Sequence, residues 1–395
     1  MLAHTSRRLE QAKVATAVVF FLNGVTFATW VSRIPDARDH LGLSPGQLGL
    51  VLLALSAGSI VGLPSAGAVC ARFGATRAVR LSGLACVSGM VGAGWAVASG
   101  STPGLAACLF LFGLGMGVWD VSMNLHGAAV EHDLDRSVMP RFHAAFSLGT
   151  VAAALVGSGV AGARWDLRWH FMLAAVLILS GTAWALRAFM PSAGGRTETE
   201  VQPDEAGRSV GSAWRERRTL LIGLVVLVAA FTEGTANDWM SVAFVDGYHL
   251  PSWAGVLAFA TFLSAMTAGR LIGTNLIDRF GRVVVMRILF ACAGMGSVLV
   301  LSGPLPAAFV GAAIWGIGAS LGFPVGISAA ADEPARAAAR LSVVSTIGYT
   351  AFLAGPPLLG FLGDRVGILR SLAVVAVLLL PAFLALPAVR PPQPD

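Results

Sequence analysis

Charge is scarce in this chain. Of its 395 residues, 12% are Asp, Glu, Lys or Arg, about half the share of a soluble domain. Tyrosine is rarer still, with 2 residues, and the 4 cysteines form no Cys-x-x-Cys pair. Each shortage excludes something. So few charges over so long a chain exclude an ordinary water-soluble surface. Cys70, Cys86, Cys108 and Cys292 lie in or beside apolar runs and read as small buried hydrophobes, not as disulfides or metal ligands. No GxxxxGK[ST] phosphate loop is present, which argues against nucleotide-driven pumping. The formal net charge of +6 does not mark a nucleic-acid binder. The basic residues sit in short loops between apolar runs and form no stripe interleaved with aromatics. Nothing in the pattern calls for a cofactor or a metal.

What the chain has instead is hydrophobic length: 56% of it is apolar. A helix needs about 20 apolar residues to cross a bilayer. Twelve such segments can be placed, near 14–33, 46–70, 78–99, 104–130, 140–162, 169–189, 219–241, 252–277, 283–302, 305–330, 339–362 and 368–388. The run from Val14 to Val31 follows Arg7, Arg8 and Lys13 and imitates a secretory leader. It is too long for a leader core and no small-x-small site follows it cleanly, so it reads as the first span. The long polar stretch 191–218 is rich in Gly, Glu, Arg and Ser and reads as a cytoplasmic linker. The expected organisation is an all-α membrane protein of twelve transmembrane helices: an N-terminal half at 1–190, the linker, and a C-terminal half at 219–395. Of the 27 Lys and Arg residues, 20 fall on one side of this arrangement and 6 on the other, with Arg270 inside the eighth span. The bias puts both termini of this multi-pass protein in the cytoplasm.

The halves repeat. Arg72-Phe-Gly74 follows the second span, and Arg279-Phe-Gly281 follows the eighth, 207 residues later. A weaker echo pairs Arg141 with Arg340. Six-span repeats of this kind mark a large transporter architecture with its solute site near the midplane.

At these residues the sequence resembles the major facilitator superfamily. Asp278-Arg279-Phe280-Gly281-Arg282 matches the family's loop signature after the second helix of a half. The first copy carries Arg72 and Gly74 but has Ala71 in place of the acid, and Ala75 and Thr76 in place of basic residues. The resemblance implies two six-helix halves related by pseudo-symmetry. It also implies that the signature pins helices at the cytoplasmic end, and that the protein works as a monomer. Phe20-Phe-Leu-Asn-Gly24, Trp30-Val-Ser-Arg-Ile-Pro35, Met123-Asn124, Glu131, Phe142-His143 and Glu233-Gly234 with Asp238-Trp239 are similar to YbjJ-like bacterial inner-membrane proteins near the fucose-permease branch. In that branch the fourth helix carries an acid followed four positions later by Asn, as Asp120 and Asn124 stand here. The acid is implicated there in proton-coupled sugar uptake. The branch's acid in the first helix is replaced here by Asn23.

The stretch Gly113 to Glu131 is mostly apolar, yet it places Asp120 and Asn124 far from either end. A carboxylate at that depth costs roughly 2.5–3.5 kcal/mol to insert, so it faces a bundle interior or a cavity. At about 100° per residue, Asn124 lies ~40° from Asp120, Glu131 ~20°, Gly113 ~20° and Gly117 ~60°. His126 is ~120° away and stands apart. Asp120 is either a protonatable carrier or a polar pin between helices. Glu233 and Asn237 share a face of the seventh span, and Glu233 is the second candidate carrier. Asn23, Asn124, Asn237 and Trp119 are the candidate solute-cavity residues. Asp238, nearer the outer end, and Trp239 beside it read as an outer-end cap and interfacial anchor.

Arg270 is the lone base deep in a span. It requires a carboxylate partner, more readily a static one within the C-terminal half than a solute anion. Glu131 and His143 read as helix-pinning groups near the turn between spans four and five, whose spacing fits no metal signature. Gly355-Pro356-Pro357 removes backbone donors in span eleven and is expected to bend or break it as a gating element. Span five has no proline in Gly157-Ser-Gly-Val-Ala-Gly162, unlike the drug/proton antiporters of the superfamily. The expected function is secondary transport of a small, polar solute by alternating access with proton coupling. Export of a hydrophobic drug or metabolite is the rival, and a non-transporting membrane sensor a more distant one. The helical phases scatter the acids and histidines, so no catalytic pair forms and an enzyme is not expected.

Overall fold

The computed structural model describes residues 2–134, 136, 138–189, 211–333 and 336–391. Among them every regular element is helical and no strand occurs. Most of the expected linker, through residue 210, lies outside the described residues. In chain order the helices are α1 (Leu2–Val31), α2 (Ile34–Leu41), α3 (Pro45–Ala98), α4 (Thr102–Leu134), α5 (Met139–Gly162), α6 (Leu167–Ala185), α7 (Arg217–Tyr248), α8 (Ser252–Phe280), α9 (Arg282–Ser302), α10 (Leu305–Ala319), α11 (Gly322–Ala330), α12 (Ala337–Val366), α13 (Ile368–Ser371) and α14 (Ala373–Ala385).

Eleven helical stretches among the described residues are long and apolar enough to cross a membrane. One of them, α3, has 54 residues. At about 1.5 Å per residue it would run ~80 Å, twice the ~40 Å of a whole bilayer. It is therefore two crossings, and the total is twelve. The two are joined at Gly74, whose φ of 77° and ψ of 156° lie in a region essentially reserved for glycine. Gly281, between α8 and α9, has φ 78° and ψ 156°. The two copies of Arg-Phe-Gly thus turn the chain the same way. In each, the arginine also lies over the ring that follows it, Arg72 on Phe73 and Arg279 on Phe280.

The chain divides into two compact units, Met1–Arg196 with Pro251–Leu257, and Thr197–Leu250 with Ala258–Asp395. In the first unit, Ser44 starts α3 with a reciprocal cap. Its hydroxyl accepts from the Gln47 amide at 3.3 Å, and the Gln47 side chain accepts from the Ser44 amide at 3.0 Å. Pro45 fills the next position, where a missing N–H is harmless. Lipid offers no hydrophobic drive between helices, so membrane bundles lean on close backbone approach at small residues. Accordingly Gly24 of α1 faces the Phe146 carbonyl of α5, and Gly149 of α5 faces the Phe21 carbonyl of α1. The second unit uses the same device: Gly316 of α10 faces the Phe262 carbonyl of α8.

Two expectations change. The seventh span runs on to Tyr248, so Asp238 and Trp239 lie inside α7 and not at its outer end. Trp239 is fully buried and is no interfacial anchor. Pro356 and Pro357 lie within α12, which continues through them without a non-helical residue. They do not break the span, in keeping with the tolerance of transmembrane helices for proline where neighbours re-satisfy the backbone.

Candidate functional site

The polar stripe of α4 divides in two. Gly113 and Gly117 are buried against α3: a side chain at Gly113 would meet the Leu55 carbonyl, and one at Gly117 the Ser59 carbonyl at 2.8 Å. Ser59 Oγ donates to the Gly113 carbonyl at 3.2 Å across this seam. Asp120, halfway along the helix, is exposed, and Asn124 is half-buried. Asn124 Nδ2 donates to the Asp120 main-chain carbonyl at 2.8 Å and reaches Asp120 Oδ1 at 3.4 Å. No cation pairs with Asp120 among the described residues. Met116, one turn before Asp120 on the same face, takes a contact from Asn23 Nδ2 of α1 at 3.9 Å. Asn23 is itself 1% exposed. The accessible carboxylate and the Asn124 amide therefore share one face of α4, and Asn23 of α1 meets that helix one turn earlier, at Met116.

Trp119, expected beside them, is turned the other way. It is completely buried, and its ring packs on Gly83 of α3, where an added Cβ would sit 3.3 Å away. The ~100° between neighbouring helix positions separates the ring in the α3–α4 seam from the open carboxylate. Trp119 lines no accessible surface.

In the second unit Arg270 of α8 meets Glu233 of α7. One guanidinium nitrogen, Nη2, donates to both carboxylate oxygens, at 3.0 and 3.1 Å. Arg270 Nε donates to the Ser320 carbonyl at 3.2 Å. Asn237, one turn from Glu233, keeps its amide oxygen sealed and without a hydrogen-bond donor. The pairing of α7 with α8 could not be read from either helix alone, because 37 residues separate the partners.

At the ends that carry the Arg-Phe-Gly signature the two units differ. Arg282 donates to Asp332 at 2.7 Å and to Ser328 Oγ at 3.0 Å. Arg218 reaches the same Asp332 at 2.7 Å. Arg340, only 5% exposed, donates to Glu216 at 2.6 Å and lies 3.0 Å from Glu333. Asp278 and Arg279 are exposed, so the second arginine of the signature makes the tie. In the first unit Glu131 serves instead. Its Oε2 accepts the backbone N–H groups of Val138 at 2.6 Å and Met139 at 2.7 Å, capping the start of α5. Arg72 is exposed. His143 is also exposed, its ring 5.3 Å from Phe20, edge to face. Among the described residues no group of three His, Cys, Asp or Glu side chains could hold a metal ion.

The Arg340 cluster carries a pH dependence. Hydrogen bonding and charge from Arg340 hold Glu333 below its ordinary 4.5. Burial pushes Glu216 up, but hydrogen bonds from Arg340 and Thr219 outweigh it and the net direction is down. A carboxyl lowered on folding stabilises above its ordinary value and stops doing so as pH falls through the lowered one. Thermal unfolding of the purified protein should therefore shift to lower temperature on acidification below about pH 4.5. Arg340→Gln should flatten that acid limb; an identical limb in the variant would remove the cluster from the explanation.

Two pseudo-symmetric sets of spans, with mid-span charges on only a few helices, define a membrane transporter of the twelve-helix class. The chain belongs to the Major Facilitator Superfamily, whose profile matches residues 16–296 and 252–395. It is 31% identical over 362 residues to the uncharacterized transporter y4wD of Sinorhizobium fredii, covering 91% of this chain and 93% of that one. The fold matches that of a point mutant of the nucleoside transporter NupG with a TM-score of 0.79, at 12% identity, over 96% of this chain and 99% of the other. It matches a variant of the E. coli fucose:proton symporter FucP at 0.65, with 14% identity, over 97% and 98%. The protein is a multi-pass membrane transporter and not an enzyme.

Proposed function

We propose that this transporter moves a small, polar, hydroxylated solute by alternating access, driven by protons. Its termini then lie in the cytoplasm, and a single chain is the working unit. The observation that carries the reading is Asp120: a mid-span carboxylate, accessible, bonded by Asn124 and lacking a counter-cation. A charge at that depth is retained for function by default, and an exchangeable proton is the smallest counter-ion available to it. Asn124, half-buried beside Asp120, presents an amide that can donate to and accept from solute hydroxyls, whereas Asn23, 1% exposed, is packed against Met116. The nucleoside and the fucose named for the two structural neighbours are both polyhydroxylated, which agrees with this choice. Glu233, whose two oxygens share Nη2 of Arg270, serves as a fixed polar platform with Asn237 beside it.

A thermal-shift screen of the purified protein against sugars, sugar acids, nucleosides, amino acids and lipophilic cations tests the solute class. Stabilisation by hydroxylated polar solutes is expected. Stabilisation by lipophilic cations alone would favour drug export and overturn the reading. Solutes that pass the screen should then enter sealed proteoliposomes faster under an imposed pH gradient; flux indifferent to the gradient would reject proton coupling.

A further inference from the structure

Three carboxylates lie well inside the spans: Asp120, Glu233 and Asp238. Glu233 is occupied by Arg270, but Asp238 is not. It sits five residues further along α7, ~140° round the helix from Glu233. It is half-buried, its oxygens are not sealed off, and it has no hydrogen-bond or ion-pair partner among the described residues. The helices packed on α7 do not supply one: the α8 cation Arg270 is bonded to Glu233, and Asp278 and Arg279 are exposed at the C-terminal end of α8. α10, α11 and α14 carry no charged or titratable side chain. α12 runs parallel to α7, with Gly223 against Ile347 and Gly234 against Phe352. Its Arg340 belongs to the Glu216 cluster, and Tyr349 lies before Phe352. Asp364 and Arg365 come twelve and thirteen residues after Phe352, whereas Asp238 comes four after Gly234. Gly247 against Leu369 and Gly355 against Phe231 give a tighter register, so about two to eight residues, or ~3–12 Å, separate Asp238 from Asp364 along the helix axes. Arg370 of α13 lies further still. On α7 itself, Asp246 and Tyr248 are two turns or more away.

We propose that Asp238 is a second site of proton uptake in this transporter, and that Glu233 is not one. A carboxylate inside a span needs a partner. Glu233 has one: both its oxygens accept from Nη2 of the Arg270 guanidinium. Asp238 has none, so the counter-ion it takes must be one that arrives and leaves. The residue thus stands in the second unit as Asp120 stands in the first: partly accessible, mid-span and free of cations. Its purpose in transport rests on the proton-coupled reading; its titration does not.

The test reads protons directly and needs no solute. Infrared difference spectra are recorded on the full-length protein in lipid bilayers between about pH 5 and about pH 9, following the C=O stretch of protonated carboxyl groups. ¹³C labelling of aspartate separates Asp bands from Glu bands. The wild type should show Asp bands, of which Asp238→Asn loses one and Asp120→Asn another, while Glu233→Gln loses none. Asp238→Glu should move its band into the unlabelled set, which keeps the test decisive where the amide variant fails to fold. A spectrum unchanged in Asp238→Asn, or a band lost in Glu233→Gln, overturns the proposal. Solute flux separates the two readings. Gradient-driven flux without an Asp238 band rejects Asp238 alone. An Asp238 band with gradient-insensitive flux supports the titration and rejects proton coupling.

Discussion

Asp120→Asn yields a folded transporter that equilibrates solute but no longer concentrates it. The substitution keeps the size of the side chain and its ability to hydrogen-bond Asn124, so the α4 backbone and the Gly113–Gly117 seam with α3 have no reason to move. What is lost is the exchangeable proton. One proton moving down a gradient of about one pH unit supplies about 1.4 kcal/mol, equivalent to a tenfold solute gradient. In proteoliposomes holding such a gradient, wild-type accumulation should exceed that of the variant by about tenfold for each pH unit imposed and each proton coupled. Exchange of labelled for unlabelled solute at equal pH should persist. Undiminished accumulation in the variant would remove Asp120 from the coupling mechanism. Loss of exchange together with accumulation would make it a solute-binding group instead.

The features legible in the sequence were those written along one segment. Apolar runs placed the twelve crossings because the bilayer imposes a length on each. The repeat at Arg-Phe-Gly was visible because a glycine-only torsion has to be encoded by glycine, and Gly74 and Gly281 carry the same φ and ψ. The phase of α4 likewise grouped Asp120 with Asn124. What could not be read was written between segments. Helical phase alone does not say which side of α4 meets α3, so Trp119 looked like a neighbour of the site when its ring fills the seam behind it. The partner of Arg270 required knowing that α7 and α8 meet at that depth. The seventh span ended too early in the sequence reading because Glu233, Asn237 and Asp238 interrupt its apolar run. Packing, which buries α7 on most of its circumference, overrides that interruption. That interruption makes Asp238 read as a helix-end group, whereas the structure sets it inside the span without a partner among the described residues.

Arg270→Ala should weaken the fold of the second unit before it touches any solute. The alanine leaves the Glu233 carboxylate mid-span without its cation and the Ser320 carbonyl without its donor. Removing one member of a fully buried pair destabilises by about 3–5 kcal/mol. Here 30% of the Arg270 side chain and 19% of the Glu233 side chain are exposed, so the effect should be smaller, about 2–3 kcal/mol. It should appear as reduced yield and a lower unfolding temperature. Arg270→Lys should fall between, because an ammonium keeps the charge but cannot hold both the carboxylate and the Ser320 carbonyl in one planar arrangement. The double variant Glu233→Gln with Arg270→Gln should recover most of the lost stability, since both charges leave together and no ion remains to be desolvated. Normal yield and unfolding temperature in Arg270→Ala, coupled with lost binding of the solutes found in the thermal-shift screen, would reverse the assignment and make the guanidinium a solute contact. If the double variant is instead as unstable as the single one, the stabilisation comes from the Ser320 carbonyl bond and the packing of the arginine stem, which the glutamine at 270 does not restore.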